Sequence, residues 1–474
     1  MHPYFTHAVR LFAAGALGVC ACVGLAQTPQ PQAAAADIPA PGYTQVLQAE
    51  FPERKFPELR EILRQGLLDG PTILMSEWNA SAAAQDALGH GGRADLLPRV
   101  GGYVQFGQTY EQHQGDGAPN RSLMALFYDV NLWQPVYQWN VLTNNYQMRK
   151  IQQAMAERNI AETRRMLAIT IRSQYFNIIL KANELKLANE NMERLERDQK
   201  ETEQAIKDGT QAAGAIDGPN RAIQFAKPEI MNLENQLAGM KRSLVQLTGL
   251  PESTFDKMPA EIPALPESEA HDALYALSAS TNPPPSSHVQ DLADSAHIWK
   301  LTYENNKKIL YPTFGITLDV NEQSRTANHT NQGERYVFTT WSALAQMNWN
   351  IFDGFGARAA RLASLERLKA AEASHAQAEK QEGEDRNAEV ANLQVQWERL
   401  LNTEHDLDRA RAGRDIIEQD FKNGTASARQ AEDARVGYEN ALQGTQAARA
   451  AFYIALVTCL SNRGQDPVIM AMQQ

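Results

Sequence analysis

Residues 336–352, YVFTTWSALAQMNWNIF, alternate along their whole length. With the two-residue period of an extended chain, one face carries Val337, Thr339, Trp341, Ala343, Ala345, Met347, Trp349 and Ile351. The other carries Phe338, Thr340, Ser342, Leu344, Gln346, Asn348 and Asn350. The stretch before it, 313–322, does the same: Phe314, Ile316, Leu318 and Val320 oppose Thr313, Gly315, Thr317, Asp319 and Asn321. A second pair of such stretches lies upstream, at 99–109 and 123–133. There Met124, Leu126, Tyr128, Val130 and Leu132 oppose Ala125, Phe127, Asp129 and Asn131. Strands near ten residues with one apolar and one polar face have the dimensions of transmembrane barrel strands. Half-buried sheets of soluble proteins alternate too, so the segments downstream of the strands decide between the two.

Each strand pair leads into a very long helical pattern, and the whole unit occurs twice. Pro98 to Pro312 spans 214 residues, and Gly209 to Gly424 and Gly249 to Gly464 each span 215. That period is far above solenoid repeats and marks a duplicated domain. Residues 136–207 carry helical pattern without a proline, about 108 Å of helix at 1.5 Å per residue, and 356–422 give about 100 Å. Each ends at a glycine turn and is followed by a shorter returning helix, near 222–247 and 428–460, which makes a helical hairpin twice.

Around this duplicated unit the chain divides readily. Residues 1–26 are an export signal: Arg10 precedes the apolar run 11–25, and Gly24-Leu25-Ala26 is a small-x-small cleavage site. Cys22 also resembles an imperfect lipoprotein acceptor. A proline-punctuated leader occupies 27–57, and a short amphipathic helix starts near Pro57, with Leu59, Ile62, Leu63, Leu67 and Leu68 at helical spacing. The first repeat covers 58–250, with strands about 97–133 and a hairpin about 136–248. A Pro/Ser/Glu-rich connector and a helix at 288–308 fill 251–310, with a short helical stretch at 271–277. The second repeat covers 311–464, and 465–474 read as a loose tail.

Composition excludes several classes. The net charge of −11 argues against a nucleic-acid surface. After cleavage at Ala26 only Cys459 remains, so no intramolecular disulfide forms. No apolar run of 18 residues follows the signal, so a membrane role must come from strands. Four strands cannot close on themselves, and an open edge in lipid leaves backbone groups unpaired at several kcal/mol each. Several chains must therefore share one barrel; two give eight strands and a filled interior, three give twelve and a lumen. Asp129, Asn131, Asp319 and Asn321 on the polar face suit the wider barrel, as lumen residues. Trp133, Tyr137, Trp139, Tyr311 and Tyr336 gather at strand ends, as a membrane-interface belt requires.

In these features the chain resembles the TolC-like outer-membrane efflux channels, the outer membrane factors. The resemblance rests on the duplication, on Leu97-Pro98 and Tyr311-Pro312 opening the strand pairs, and on Asn350-Ile351-Phe352-Asp353-Gly354-Phe355 at the strand-to-helix junction. It extends to Phe421-Lys422-Asn423-Gly424-Thr425-Ala426-Ser427 before the last helix and Leu247-Thr248-Gly249-Leu250 closing the first copy. The resemblance implies an α+β membrane protein: a homotrimer whose twelve-strand β-barrel in outer-membrane lipid continues into a twelve-helix periplasmic tunnel. A small equatorial domain would be built from the connector and chain ends. It further implies a passive exit duct for efflux or type I secretion, docked on a periplasmic adaptor and an inner-membrane transporter.

In that family acidic rings close the periplasmic end at the hairpin tips. Asp433 matches one aspartate position, whereas Gln430 stands where a second is frequent. Asp217 and Asp208 lie at the corresponding turn of the first copy, where Gly214, Gly218 and Pro219 are atypical. Three carboxylates in a narrow mouth would repel anions and attract cations. No phosphate loop, metal-ligand spacing or nucleophile elbow points to an enzyme or a cofactor. Asp353-Gly354-Phe355-Gly356 mimics a glycine-rich loop where a strand-to-helix turn needs glycine anyway, and His113 and His329 are too isolated for a metal site. The competing class is an exported coiled-coil adaptor or scaffold, which would have one hairpin rather than two.

Overall fold

The computed structural model describes residues 52–111, 121–256, 258–264, 285–329, 332–464, 466 and 468–469. The signal, Cys22, most of the leader, His113 and the helix expected at 271–277 lie outside the described residues, as do the side chains of Tyr336 and His329. In chain order the elements are α1 (Pro57–Asp69), α2 (Pro71–Leu88), β1 (Arg99–Glu111), β2 (Arg121–Tyr137), α3 (Val141–Lys207) and α4 (Asp217–Thr248). Next come α5 (Ser287–Asn306), β3 (Thr313–His329), β4 (Gln332–Asn348), α6 (Gly356–Lys422) and α7 (Ala428–Asn462).

The duplication is written into the backbone. Positive φ angles, which most side chains resist, occur in pairs 215 residues apart: Trp139 and Gly354, Asn140 and Phe355, Gly209 and Gly424, Gly249 and Gly464. Both long helices are 67 residues, about 100 Å each. The first starts at Val141 rather than near 136 because β2 runs on to Tyr137, and the left-handed pair Trp139-Asn140 must redirect the chain. Helix α2 was not expected from sequence pattern. Its buried positions, Ile73, Ser76, Ala80 and Ala87, are mostly small, while Met75 and Trp78 are exposed, so no apolar stripe announces it. Shifting α5 by the 215-residue period lands on it. Each copy is therefore helix, two strands, long helix, returning helix. The preceding and returning helices pack along the same long helix, α2 and α4 on α3, α5 and α7 on α6.

The first returning helix begins at Asp217, five residues before the expected start. Pro219 lies in its first turn, where the missing N–H costs nothing. Strand β4 begins at Gln332 and ends at Asn348, earlier than the 336–352 alternation suggests. Beyond it Trp349 leaves the ladder, its Nε1 donating to the Leu310 carbonyl at 3.0 Å.

The four strands form one antiparallel sheet in the order β1-β2-β3-β4, and among the described residues β1 and β4 are edges with no strand paired on their outer sides. The central β2–β3 ladder joins the two copies.

The apolar core sits part-way down the helices. Tyr175, Phe176 and Ile179 of α3 meet Leu59 and Leu63 of α1, Trp397 of α6 and Phe452 and Leu456 of α7. Phe255 and Ile262 of the connector join them. Arg172, 1% exposed, lies within this core. Its Nε donates to Glu53, and its Nη1 and Nη2 donate to Asp466 at 2.5 and 3.1 Å. Asp466 also accepts from Ser461 Oγ at 2.8 Å and the Val468 N–H at 3.1 Å. The expected loose tail is thus corrected at its start: a carboxylate 2% exposed must be paired to be buried, and Arg172 pairs it.

Candidate functional site

Three regions carry the chain's unusual chemistry: the sheet, its junction with the helices, and the hairpin tips. In the sheet, Asp129 stands opposite Asn321 and Asn131 opposite Asp319, so the four polar residues anticipated from alternation share one face. Within each strand the amide serves the acid: Asn131 Nδ2 donates to Asp129 at 3.4 Å and Asn321 Nδ2 to Asp319 at 3.0 Å. Tyr103, Thr340 and Ser342 extend this face through the neighbouring ladders.

The opposite face aligns Val100, Leu132, Leu318 and Ala343 in one row and Val130, Val320 and Trp341 in the next. Among the described residues no helix packs across either face. Exposure follows strand position: on the edge strands Val104 and Trp341 are open on the apolar face and Tyr103 and Phe338 on the polar one, while Asp129, Asn131, Asp319 and Asn321 of the central strands are half-buried. In a water-soluble protein such an apolar face would be packed against other elements.

At the helix-proximal end of the sheet the aromatics gather. Trp139 packs edge-on between Tyr137 and Tyr311, both ring centroids 5.0 Å away, and its Nε1 donates to the Pro312 carbonyl at 2.7 Å. Trp133 lies at the same end, its indole nitrogen close against Gly315. Tyr336, paired with Arg325, sits toward the far end of the ladder. The glycine-rich look of 353–356 is turn chemistry: Gly354 takes φ 68°, and Asp353 accepts from the Ala357 N–H at 2.6 Å.

Both hairpin tips close identically. The N–H groups of Thr210 and Gln211 share the Ala205 carbonyl, and those of Thr425 and Ala426 share that of Asp420. The threonine hydroxyls repeat these bonds at 2.8 and 2.9 Å. Past the turn the copies diverge. Gln430 completes a capping box: its Oε1 accepts from the Ser427 N–H at 2.8 Å while its own N–H donates to Ser427 Oγ at 3.3 Å. Gln430 is therefore spent on starting α7. Asp433, one turn on, is exposed. In the first copy Asp208 accepts from Gln204 Nε2 at 2.9 Å and Asp217 opens α4; both are exposed.

A cluster between the copies is invisible to sequence pattern. Above the tips α3, α4 and α7 line a half-open cavity of about 300 Å³. There Arg435 lies 3.8 Å from Glu190 and 3.5 Å from Glu439. Burial, and then the neighbouring Glu190, push the Glu439 carboxyl above its ordinary range. Arg197 reaches Glu432 at 3.4 Å nearby. Glu190 and Glu439 belong to different copies, so no local spacing connects them.

Residues 62–250 and 302–460 match the family described as outer membrane efflux protein. The chain belongs to that family. Among curated proteins no relative matches the sequence. The efflux protein is similar in fold to the CmeC outer membrane channel of Campylobacter jejuni, at 10% identity and TM-score 0.69, over 88% of each chain. It is similar to the outer membrane protein VceC of Vibrio cholerae, at 13% identity and TM-score 0.63, over 87% of this chain and 97% of that one. The open-state MtrE outer membrane channel of Neisseria gonorrhoeae matches at 13% identity and TM-score 0.61, over 86% and 89%. As a member of this family the efflux protein is an outer-membrane transport protein that extends into the periplasm.

Proposed function

We propose that the chain is a passive exit duct: three copies close a twelve-strand barrel in the outer membrane, and their hairpins form a tunnel through the periplasm. The observation that carries this reading is the sheet with its apolar face uncovered and both edges unpaired. Such a sheet is stable in lipid only if neighbouring copies cover its edges. Twelve strands leave a lumen that the Asp129, Asn131, Asp319 and Asn321 face would line. Trp139 and Tyr311 would mark the helix-proximal membrane interface, whereas Trp133 and Tyr336 fall on the register face of Asp129 and Asp319. The tips, with Asp433 as the aperture carboxylate and Asp217 and Asp208 beside it, would meet a periplasmic adaptor fed by an inner-membrane transporter. The duct performs no chemistry of its own; the partner pump supplies the energy. Residues 1–26 would be removed on export. Extraction with detergent from outer-membrane fractions, followed by mass measurement, tests this: the expected species is a trimer. A soluble periplasmic monomer would overturn it in favour of a scaffold.

A further inference from the structure

Four segments meet where the sheet gives way to the helices: 89–99, 138–150, 299–312 and 349–361. They are tied together by the Trp139–Pro312 and Trp349–Leu310 bonds and by Lys308 Nζ, which donates to the Trp139 carbonyl at 2.9 Å. Gln134 Nε2 adds a bond to the Leu96 carbonyl at 3.2 Å. These segments hold nine lysines and arginines against three acids, in a chain of net charge −11. The acids are engaged: Asp95 pairs with Arg99, Glu304 lies 2.5 Å from Lys307, and Asp353 accepts the Ala357 N–H. Arg93, Arg358 and Arg361 are exposed and have no side-chain partner among the described residues. Lys150 is exposed and held only by Gln153, at 3.0 Å.

We propose that this basic collar binds the anionic phospholipid headgroups of the leaflet in which the helix-proximal end of the sheet is seated. The proposal rests on the sheet being a membrane wall. The geometry has the order a headgroup layer requires. Apolar strand faces come first, then the Tyr137, Trp139, Tyr311 ring cluster at interface depth, then the cations on the water side. Arg358 and Arg361 are the third and sixth residues of α6, so they sit about 3–8 Å along the helix, inside the Debye length of about 10 Å. Lipid phosphates lying between the rings and these guanidiniums would accept bidentate hydrogen bonds. A basic residue near an anionic surface strengthens association about fivefold, so three of them multiply to about a hundredfold.

The test uses the purified full-length protein and vesicles of phosphatidylcholine with or without phosphatidylglycerol. Wild type should insert into both and retain phosphatidylglycerol through purification, and added phosphatidylglycerol should raise its unfolding temperature. The triple variant Arg93→Gln, Arg358→Gln, Arg361→Gln should insert into phosphatidylcholine as well as wild type while losing phosphatidylglycerol retention at least tenfold. The triple Arg→Lys variant should keep it. Equal retention by the glutamine variant would overturn the collar, as would inorganic phosphate reproducing the thermal shift, because the site would then be one for free anions. Failure of wild type to insert into either vesicle would instead overturn the membrane reading on which the collar depends.

Discussion

Asn131 and Asp319 face each other across the β2–β3 ladder, so the two copies of the repeat are joined by a register that pairs amide with acid. Asp129 opposite Asn321 is the reciprocal pair. If this face lines the lumen, its carboxylates favour cations. Asp129→Asn with Asp319→Asn should shift the reversal potential toward anions in planar bilayers under a salt gradient. An unchanged reversal potential would remove both residues from the conduction path.

Asp433 is the exposed tip carboxylate in the second copy, and Gly218 stands at the corresponding offset in the first. Asp433→Ala should weaken block by divalent cations applied from the tip side. Conductance without cations should change little. Unaltered block would take Asp433 out of the aperture, and restoration by Asp433→Glu would show that charge carries the effect.

Arg172 and Asp466 form a buried pair linking α3 to the end of the chain. Burial raises the Asp466 pKa, but the hydrogen bonds and charge of Arg172 outweigh it, so the carboxyl is held below the ordinary range. Its folded pKa being depressed, the stability it contributes is present above the ordinary carboxylate range and is lost as pH falls through the folded value. Asp466→Asn removes the carboxylate charge paired with the buried Arg172 and should cost about 3–5 kcal/mol. Denaturant unfolding followed by helical circular dichroism measures it, and the variant should also show a flatter decline of stability in acid.

Glu439 is shifted in the opposite direction. Its carboxyl titrates above the ordinary range because of burial and the adjacent Glu190, so ionising it opposes the contact between α3 and α7. Lowering the pH from neutral should tighten this contact as Glu439 takes up a proton. Glu439→Gln should reproduce the tightening at neutral pH, a gain within about 1 kcal/mol, and remove its pH dependence. Hydrogen exchange along α7 near Arg435 reports on it; identical pH profiles in the two proteins would refute it.

Much of this architecture is legible in the sequence because its signals are one-dimensional. Strand alternation and prolonged helical pattern depend only on neighbours along the chain, so Gly356–Lys422 is observed with the expected bounds. What the sequence hides depends on contacts or on weak periodicity. Helix α2 buries mostly small side chains and shows no stripe, although the 215-residue period projected from α5 would have found it. Gln430 reads as a missing aspartate until the capping box shows its task. Asp466 reads as tail because its partner lies 294 residues away, and the Glu190–Glu439 cluster is hidden for the same reason.

The central claim is that neighbouring chains complete the sheet, and the open edges allow a direct measurement. Within one chain β1 and β4 are separated by two strands, about 14 Å at the spacing of paired strands. A disulfide needs Cα atoms within about 7 Å, so a bond from β1 to β4 can form only between chains. Cysteine pairs placed along the edges, Gly101, Tyr103 or Gln105 with Thr340, Ser342 or Leu344, should be oxidised in outer-membrane fractions and run under denaturing conditions. The account predicts cross-linking that ends at a covalently closed trimer. Absence of cross-linking throughout the series, or a product that stops at the dimer, would contradict it.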